Sequence, residues 1–149
     1  MVWGGFGFNG QTSLAFTKGK QNSGDYQATL DNNLLPYGEI LGGPNWKFQQ
    51  DNASIHTSRS TKEWFRTSNI IVLDWPAYSP DLNPIENVWG ILTRVVYANG
   101  KQYSTVPELK EAIEKAWYEI EPDTLQKLVL SMKTRVFELI KQRGSYTKY

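Results

Sequence analysis

The sequence contains no cysteine and only one histidine among its 149 residues. The absence of cysteine excludes disulfides and thiolate metal sites, which fits a reducing compartment. A single imidazole also excludes the histidine-rich sites that usually hold zinc. Any metal site in this chain would therefore be built from oxygen ligands, which favour Mg²⁺ or Mn²⁺ over Zn²⁺.

Long hydrophobic runs and an excess of charge are lacking as well. No apolar run approaches the roughly 20 residues of a membrane-spanning helix, and the first residues lack the layout of a signal peptide. The 16 basic and 15 acidic residues leave a formal charge of +1, so composition gives no basic footprint of a self-sufficient DNA-binding module. What is present, 40% hydrophobic and 13% aromatic residues, predicts one folded domain.

The first 17 residues predict a β-hairpin, because apolar and small residues alternate up to Asn9-Gly10, a strong turn signal. The second strand is expected at roughly Thr12 to Thr17. A bulge or the close approach of another backbone is predicted near the glycines of the first strand, which are Gly4, Gly5 and Gly7. A helix should follow, with Ser23 as its N-cap and a buried stripe formed by Tyr26, Leu30 and Leu34.

A strand, helix and strand are predicted next. Trp46 to Asp51 alternates as a strand does, which places Asp51 at the strand's C-terminal end. Ser58 or Ser60 can cap a helix, and Ile70 to Leu73 is a short apolar run typical of a buried parallel strand. The order predicts a βαβ unit.

The segment from Trp75 to Gly90 is predicted to be a shaped loop that starts a helix. Its three prolines restrict the backbone and remove amide donors. Asn83 suits the N-cap, Pro84 the first helical position, and Glu86 the third, as in a capping box. Glu86 can thus be a helix cap and Asp51 a turn former, but both also fall at the sheet edge where open α/β folds bind ligands.

Three helices are predicted after this loop, so that strands come first and helices last. The first ends at Asn99-Gly100, the second starts at the capping box Thr105 to Glu108, and the third runs from Pro122 towards Gly144. The apolar stripes of the first and third helices are expected to be buried, and Ser145 to Tyr149 reads as a tail. The stripe of the first is Ile85, Val88, Trp89, Leu92, Val95 and Val96, and that of the third is Leu125, Leu128, Val129, Met132, Val136, Leu139 and Ile140.

Two motifs give the chain a resemblance to a known family. They are QQDNASIH at Gln49 to His56 and SPDLNPIENVWG at Ser79 to Gly90, with 34 residues between Asp51 and Glu86. With VYANGKQYSTVPELKEAI and the closing RGSYTKY, the chain resembles the catalytic domain of mariner-superfamily transposases, the DDE/D enzymes. The resemblance covers essentially all of residues 1–149.

The resemblance implies an α/β, RNase H-like mixed sheet flanked by helices, with a helical C-terminal part. It implies that Asp51 and Glu86 are the second and third members of a catalytic triad that binds Mg²⁺ or Mn²⁺, with two ions in the intact enzyme. Asn52 and His56 would lie beside this site, although a turn or a structural role suits each equally. The implied partners are transposon ends, target DNA and further copies of the enzyme, with no membrane and a nuclear location.

One departure from the family is decisive. The first catalytic aspartate and its strand have no counterpart, and Asp25 and Asp31 fall in a predicted helix, so neither replaces it. We therefore expect a catalytic domain truncated at its N-terminus, without helix-turn-helix domains, inactive alone and with two unpaired sheet edges. Two alternatives are a domesticated or decayed derivative that binds DNA or protein, and another RNase H-like nuclease such as a retroviral-type integrase. The SPDLNPIENVWG stretch and the 34-residue gap favour the transposase.

Overall fold

A computed structural model of the chain describes residues 1–74, 76 and 79–141. The chain divides into two units, one from Met1 to Pro80 and one from Asp81 onward. The first unit holds four short strands and four helices, and the second holds three longer helices. Trp75, Tyr78 and the predicted tail lie outside the described residues.

The first unit begins with the predicted hairpin, whose strands pair in two separate antiparallel ladders. Strand β1 (Val2–Trp3) pairs antiparallel with β4 (Ala15–Phe16), and β2 (Phe6–Gly7) pairs with β3 (Gly10–Gln11). Between the ladders, residues 4–5 of one strand oppose residues 12–14 of the other, which is a bulge. The predicted irregularity is therefore present, with its extra residue on the second strand rather than among the glycines.

The turn and the glycines explain how this hairpin packs. The turn residues are Phe8 and Asn9 rather than Asn9 and Gly10, and Gly10 opens β3 with a φ of 138°. A Cβ on Gly7 would lie 2.7 Å from the carbonyl oxygen of Leu41, in helix α2 (Gly38–Gly42). The predicted close approach of another backbone is thus found at Gly7, where a side chain would not fit.

The N-cap of helix α1 (Ser23–Asn33) lies one residue earlier than predicted. The N-cap is Asn22, whose side chain accepts a hydrogen bond from the amide of Asp25 while the Asp25 carboxylate accepts one from Asn22. This reciprocal capping box satisfies two amides, which Ser23 at the cap could not do with Tyr26 at the third position. The predicted buried residues Tyr26 and Leu30 are at most 1% exposed.

Helices α3 (Ser54–Thr57) and α4 (Arg59–Thr67) pack with α1 around one core. Ser58 caps α4, as one of the two predicted candidates, through the amide of Thr61 at 3.2 Å. The buried cluster consists of Tyr26, Leu30, Leu34, Phe65 and Ile70, and the partly buried residues against it are Trp3, Trp46, Phe48, Ile55, Trp64 and Val72.

The predicted βαβ unit is present only in outline. Phe48 and Val72 form a single parallel bridge, in which the amide of Phe48 donates to Ile71 and the amide of Leu73 donates to Phe48, both at 2.8 Å. The parallel direction is as predicted, but the prediction of full strands at Trp46 to Asp51 and Ile70 to Leu73 is wrong. In the described part of the chain no further strand pairs with these segments, so the ladder is not extended beyond one rung.

The second unit consists of α5 (Pro84–Val96), α6 (Val106–Tyr118) and α7 (Pro122–Lys141). Thr105 caps α6 as predicted. Helix α5 ends at Val96, before the predicted stop at Asn99-Gly100, and these two residues lie in a following 3₁₀ turn with φ values of 57° and 70°. The buried apolar residues of the second unit are Leu82, Val88, Leu92, Val96, Ala116, Trp117, Ile120 and Leu125.

The predicted stripes of α5 and α7 are only partly buried. Leu125 is buried, but Val136 and Ile140 are 42% and 71% exposed, and Val95 in α5 is 52% exposed. In their place α7 buries Arg135, which is 2% exposed. The apolar pattern is wider than the face that contacts the neighbouring helix, so the pattern alone overestimates burial.

Candidate functional site

Asp51 lies three residues beyond the Phe48 bridge, in a turn that leads into α3. Its side chain is 61% exposed. One carboxylate oxygen, Oδ1, accepts a hydrogen bond from the amide of Ala53 at 3.0 Å and lies 2.6 Å from Nδ1 of His56. Within residues 1–74 the other oxygen, Oδ2, accepts no hydrogen bond, so it is the oxygen that a further ligand could take.

His56 is held from two sides in the first unit. Its side chain is 20% exposed, and its ring stacks on Tyr26 with a centroid distance of 4.2 Å. The Tyr26 hydroxyl donates to Oε1 of Gln50 at 2.7 Å, and Nε2 of Gln50 donates to the carbonyl of His56 at 3.3 Å. The imidazole beside Asp51 is therefore fixed by a closed set of contacts rather than by Asp51 alone.

The electrostatics of this cluster keep Tyr26 neutral. Burial raises the pKa of its hydroxyl far above the ordinary value of 10.0, and the negative charge of Asp51 raises this pKa further. A hydrogen bond with Trp3 acts in the opposite direction and is the smallest of the three effects. Tyr26 thus remains a hydrogen-bond donor to Gln50 at neutral pH.

Asn52 is exposed and directly follows Asp51. The turn at residues 51–53 is closed by the Asp51 carboxylate, through the amide of Ala53. Of the two residues that were predicted as possible turn formers, Asp51 closes this turn with its side chain. His56 is the residue of this segment whose side chain contacts the carboxylate.

Glu86 is the third residue of α5 and is exposed. The predicted capping box is wrong, since the side chain of Asn83 makes no capping hydrogen bond. The turn is closed by the backbone, with the amide of Glu86 donating to the carbonyl of Asn83 at 3.1 Å, and Pro84 removes one of the amides that need a cap. Among the described residues the Glu86 carboxylate accepts no hydrogen bond, so capping does not occupy it.

Sequence reasoning did not identify Tyr26 and Gln50 as supports of this site. A usable signal existed for Gln50, because the alternation of Trp46 to Asp51 places it on the same face as Trp46 and Phe48. A polar side chain on an inward face needs a buried partner, and Tyr26 provides one. Arg135 was missed for a different reason, because arginine does not contribute to an apolar stripe.

Asp51 and Glu86 both offer carboxylate oxygen, the ligand type of Mg²⁺ and Mn²⁺, and both are exposed. Over residues 1–74, 76 and 79–141, no three acidic or histidine side chains are grouped closely enough to hold a metal ion. Asp51 belongs to the first unit and Glu86 to the second.

Comparison with protein families gives a match to the DDE superfamily endonucleases over residues 2–110. Among curated proteins, the Tc3 transposase of Caenorhabditis elegans is 47% identical over 149 residues, which are all of this chain and 45% of that protein. The Tcb1 transposase of Caenorhabditis briggsae is 36% identical over the whole chain and 54% of that protein. The chain thus spans about half the length of the curated relatives it matches.

Solved structures show the same fold. The catalytic domain of Mos1 transposase, solved with raltegravir and Mg, matches 99% of this chain and 76% of that one, with a TM-score of 0.83 and 20% identity. The Mos1 transposase paired-end complex with the left transposon end matches 97% of this chain and 44% of that one, with a TM-score of 0.86 and 20% identity. The predicted α/β, RNase H-like fold is confirmed. No helix in the described part of the chain is long and apolar enough to cross a membrane.

Proposed function

The chain belongs to the DDE superfamily of endonucleases, and we propose that it forms much of the catalytic domain of a transposase that cuts transposon ends and joins them to target DNA. The observation that carries this proposal is the match over the whole chain to the Tc3 and Tcb1 transposases. The resemblance to mariner-superfamily transposases that the sequence motifs predicted is confirmed. The two alternative functions are not favoured by these relatives.

We propose Asp51 and Glu86 as catalytic carboxylates that bind Mg²⁺ or Mn²⁺. Three observations support this assignment: both side chains are exposed, Oδ2 of Asp51 is not used within residues 1–74, and no capping bond engages Glu86 in the described structure. When bound, two such ions stabilise the attacking and leaving oxygens of a phosphodiester exchange. The family site needs a third carboxylate, and the prediction that this stretch alone does not cut DNA stays a prediction.

The residues of this chain would act by positioning. Asp51 would offer Oδ2 to the cation while Ala53 and His56 hold Oδ1, so that the carboxylate keeps one orientation. His56 acts here as a positioning residue, and Asn52 adds an exposed polar group next to it. DNA ends, target DNA and further copies of the protein are the proposed partners, in keeping with the paired-end complex of the Mos1 relative, and the nucleus is the proposed location.

A Mn²⁺ titration followed by NMR tests the carboxylate assignment. We expect paramagnetic broadening centred on Asp51 and Glu86, lost in Asp51→Asn and Glu86→Gln, which keep shape but remove charge. Asp31→Asn, at an exposed position of α1, is the matched control and should leave the broadening unchanged. Broadening that survives both substitutions would overturn the assignment.

The reaction itself is tested with the natural full-length protein. We expect Mg²⁺-dependent cleavage of transposon-end DNA that Asp51→Asn abolishes. A full-length protein that binds the DNA and the metal without cutting would instead identify a domesticated derivative.

A further inference from the structure

Arg135 is the most deeply buried charged residue in the described structure, with 2% exposure in the middle of α7. Within residues 79–141 its guanidinium donates hydrogen bonds to Ser131, Asp81 and Asn87. Nε donates to the hydroxyl of Ser131 at 2.9 Å, Nη1 to the carbonyl of Asp81 at 2.8 Å, and Nη2 to Oδ1 of Asn87 at 2.8 Å. Two of these three acceptors lie outside α7.

Those two acceptors enclose the turn that carries Glu86. Asp81 belongs to the single 3₁₀ turn before α5, and Asn87 is the fourth residue of α5. One fork-shaped side chain therefore holds both sides of the turn at once. Since Glu86 lies between the two contact points, its backbone has little freedom to move relative to α7.

The contact to Asn87 also sets the rotation of the helix. Neighbouring residues on an α-helix point about 100° apart, because a turn holds about 3.6 residues. With Asn87 facing Arg135, Glu86 is turned to the exposed side, which agrees with its exposure. Buried Leu82 and Val88 pack this turn without a directional bond, so Arg135 supplies the directional part.

A buried guanidinium is costly unless its N–H groups are paired, so this arrangement is unfavourable if the turn moves away. We propose that Arg135 is a positioning residue for Glu86, which fixes the place and rotation of the first turn of α5 from α7. The inference rests on the proposed function in one respect, namely that Glu86 binds a divalent cation. The placement of the turn itself does not depend on the metal.

The test compares substitutions at both ends of the Arg135–Asn87 bond. Arg135→Met keeps an unbranched, apolar side chain but removes all the donors, whereas Asn87→Ala removes one acceptor and leaves those at Ser131 and Asp81. Each is expected to weaken Mn²⁺ binding, measured by broadening of the Glu86 amide, by about tenfold, as for other groups that orient a ligand. The double variant should lose no more than Arg135→Met alone, because the two groups act through one bond.

The matched control is Lys133→Met, which removes a positive charge from an exposed position of the same helix. It is expected to leave Mn²⁺ binding unchanged. A second readout needs no metal: the ¹⁵N order parameters of Glu86 and Asn87 should fall in Arg135→Met and Asn87→Ala and stay unchanged in the control. Arg135→Lys should give an intermediate effect, because an ammonium lacks the planar fork.

The outcomes separate the two proposals. Absence of Mn²⁺ broadening at Glu86 in the unmodified protein would refute the metal role, while the order parameters still decide the role of Arg135. Lower stability with unchanged Glu86 order and unchanged Mn²⁺ binding would show that Arg135 only stabilises the helices, and would overturn this inference. If Arg135→Met does not fold, Asn87→Ala decides between these results.

Discussion

Nδ1 of His56 lies 2.6 Å from Oδ1 of Asp51, and the amide of Ala53 donates to the same oxygen at 3.0 Å. A carboxylate can only accept hydrogen bonds, so both contacts direct an N–H group of the protein towards Oδ1. The two oxygens of Asp51 are thereby unequal, although they are chemically equivalent in the free side chain. A cation bound by Asp51 would meet one prepared oxygen, Oδ2, rather than a freely rotating carboxylate.

Replacing His56 by alanine should weaken Mn²⁺ binding at Asp51 by roughly 10- to 100-fold, the usual cost of losing a group that orients a metal ligand. The measurement is the Mn²⁺ concentration that broadens the amides of residues 51–53. His56→Gln, which keeps an N–H donor, should recover part of the affinity, and Asp31→Asn, at an exposed position of α1, is the control. Equal affinity in His56→Ala and the unmodified protein would show that the pair does not serve the metal.

Tyr26→Phe should lower the free energy of unfolding at neutral pH by roughly 0.5 to 1.5 kcal/mol, because the hydroxyl bond to Gln50 is lost. Burial raises the pKa of Tyr26 in the folded state. Tyr26 therefore contributes fully to stability below the pKa that it has in the unfolded chain. This contribution is lost as the pH rises above about 10, because the unfolded chain then releases the proton first. The free energy of unfolding, measured with a denaturant at pH values from about 8 to about 11, should therefore decrease less steeply with pH in Tyr26→Phe than in the unmodified protein. The same slope in both proteins would contradict the burial of an un-ionised hydroxyl.

Gly38→Ala should destabilise the protein by about 1–3 kcal/mol, since an added Cβ would overlap the buried edge of the Trp46 indole. Gly90→Ala is the matched substitution in α5, where the nearest atom to an added Cβ is Nη1 of Arg94 at 3.7 Å. There alanine should stabilise by about 0.5–1 kcal/mol, because it lowers the entropy of the unfolded chain without a clash. Opposite signs in thermal or denaturant unfolding are the expected result, and a stabilised Gly38→Ala would contradict this packing.

The sequence predicted the parts of the fold that depend on local chemistry. The buried positions of α1 and the Thr105 cap follow from helical spacing and from side chains that cap a helix. The pairing direction of Phe48 and Val72 follows from the βαβ order.

Features that depend on distant partners could not be predicted in this way. The length of the strand at Trp46 to Asp51 depends on which other segments pair with it. The closed contacts of Tyr26, Gln50 and His56 join two parts of the chain that have no sequence signal in common. The sequence alone suggests that Arg135 faces solvent, because two of its acceptors, Asp81 and Asn87, lie about 50 residues away along the chain.

The single bridge between Phe48 and Val72 has a consequence for the order of folding. Helices α3 and α4 lie between its two halves and can form from local contacts, whereas the bridge must close a loop around both of them. Asp51 sits just past that bridge, so its position is established only when the long-range closure is complete. We therefore expect the Asp51 carboxylate to reach its position late in folding, so that a partly folded chain would contain the residue without its final surroundings.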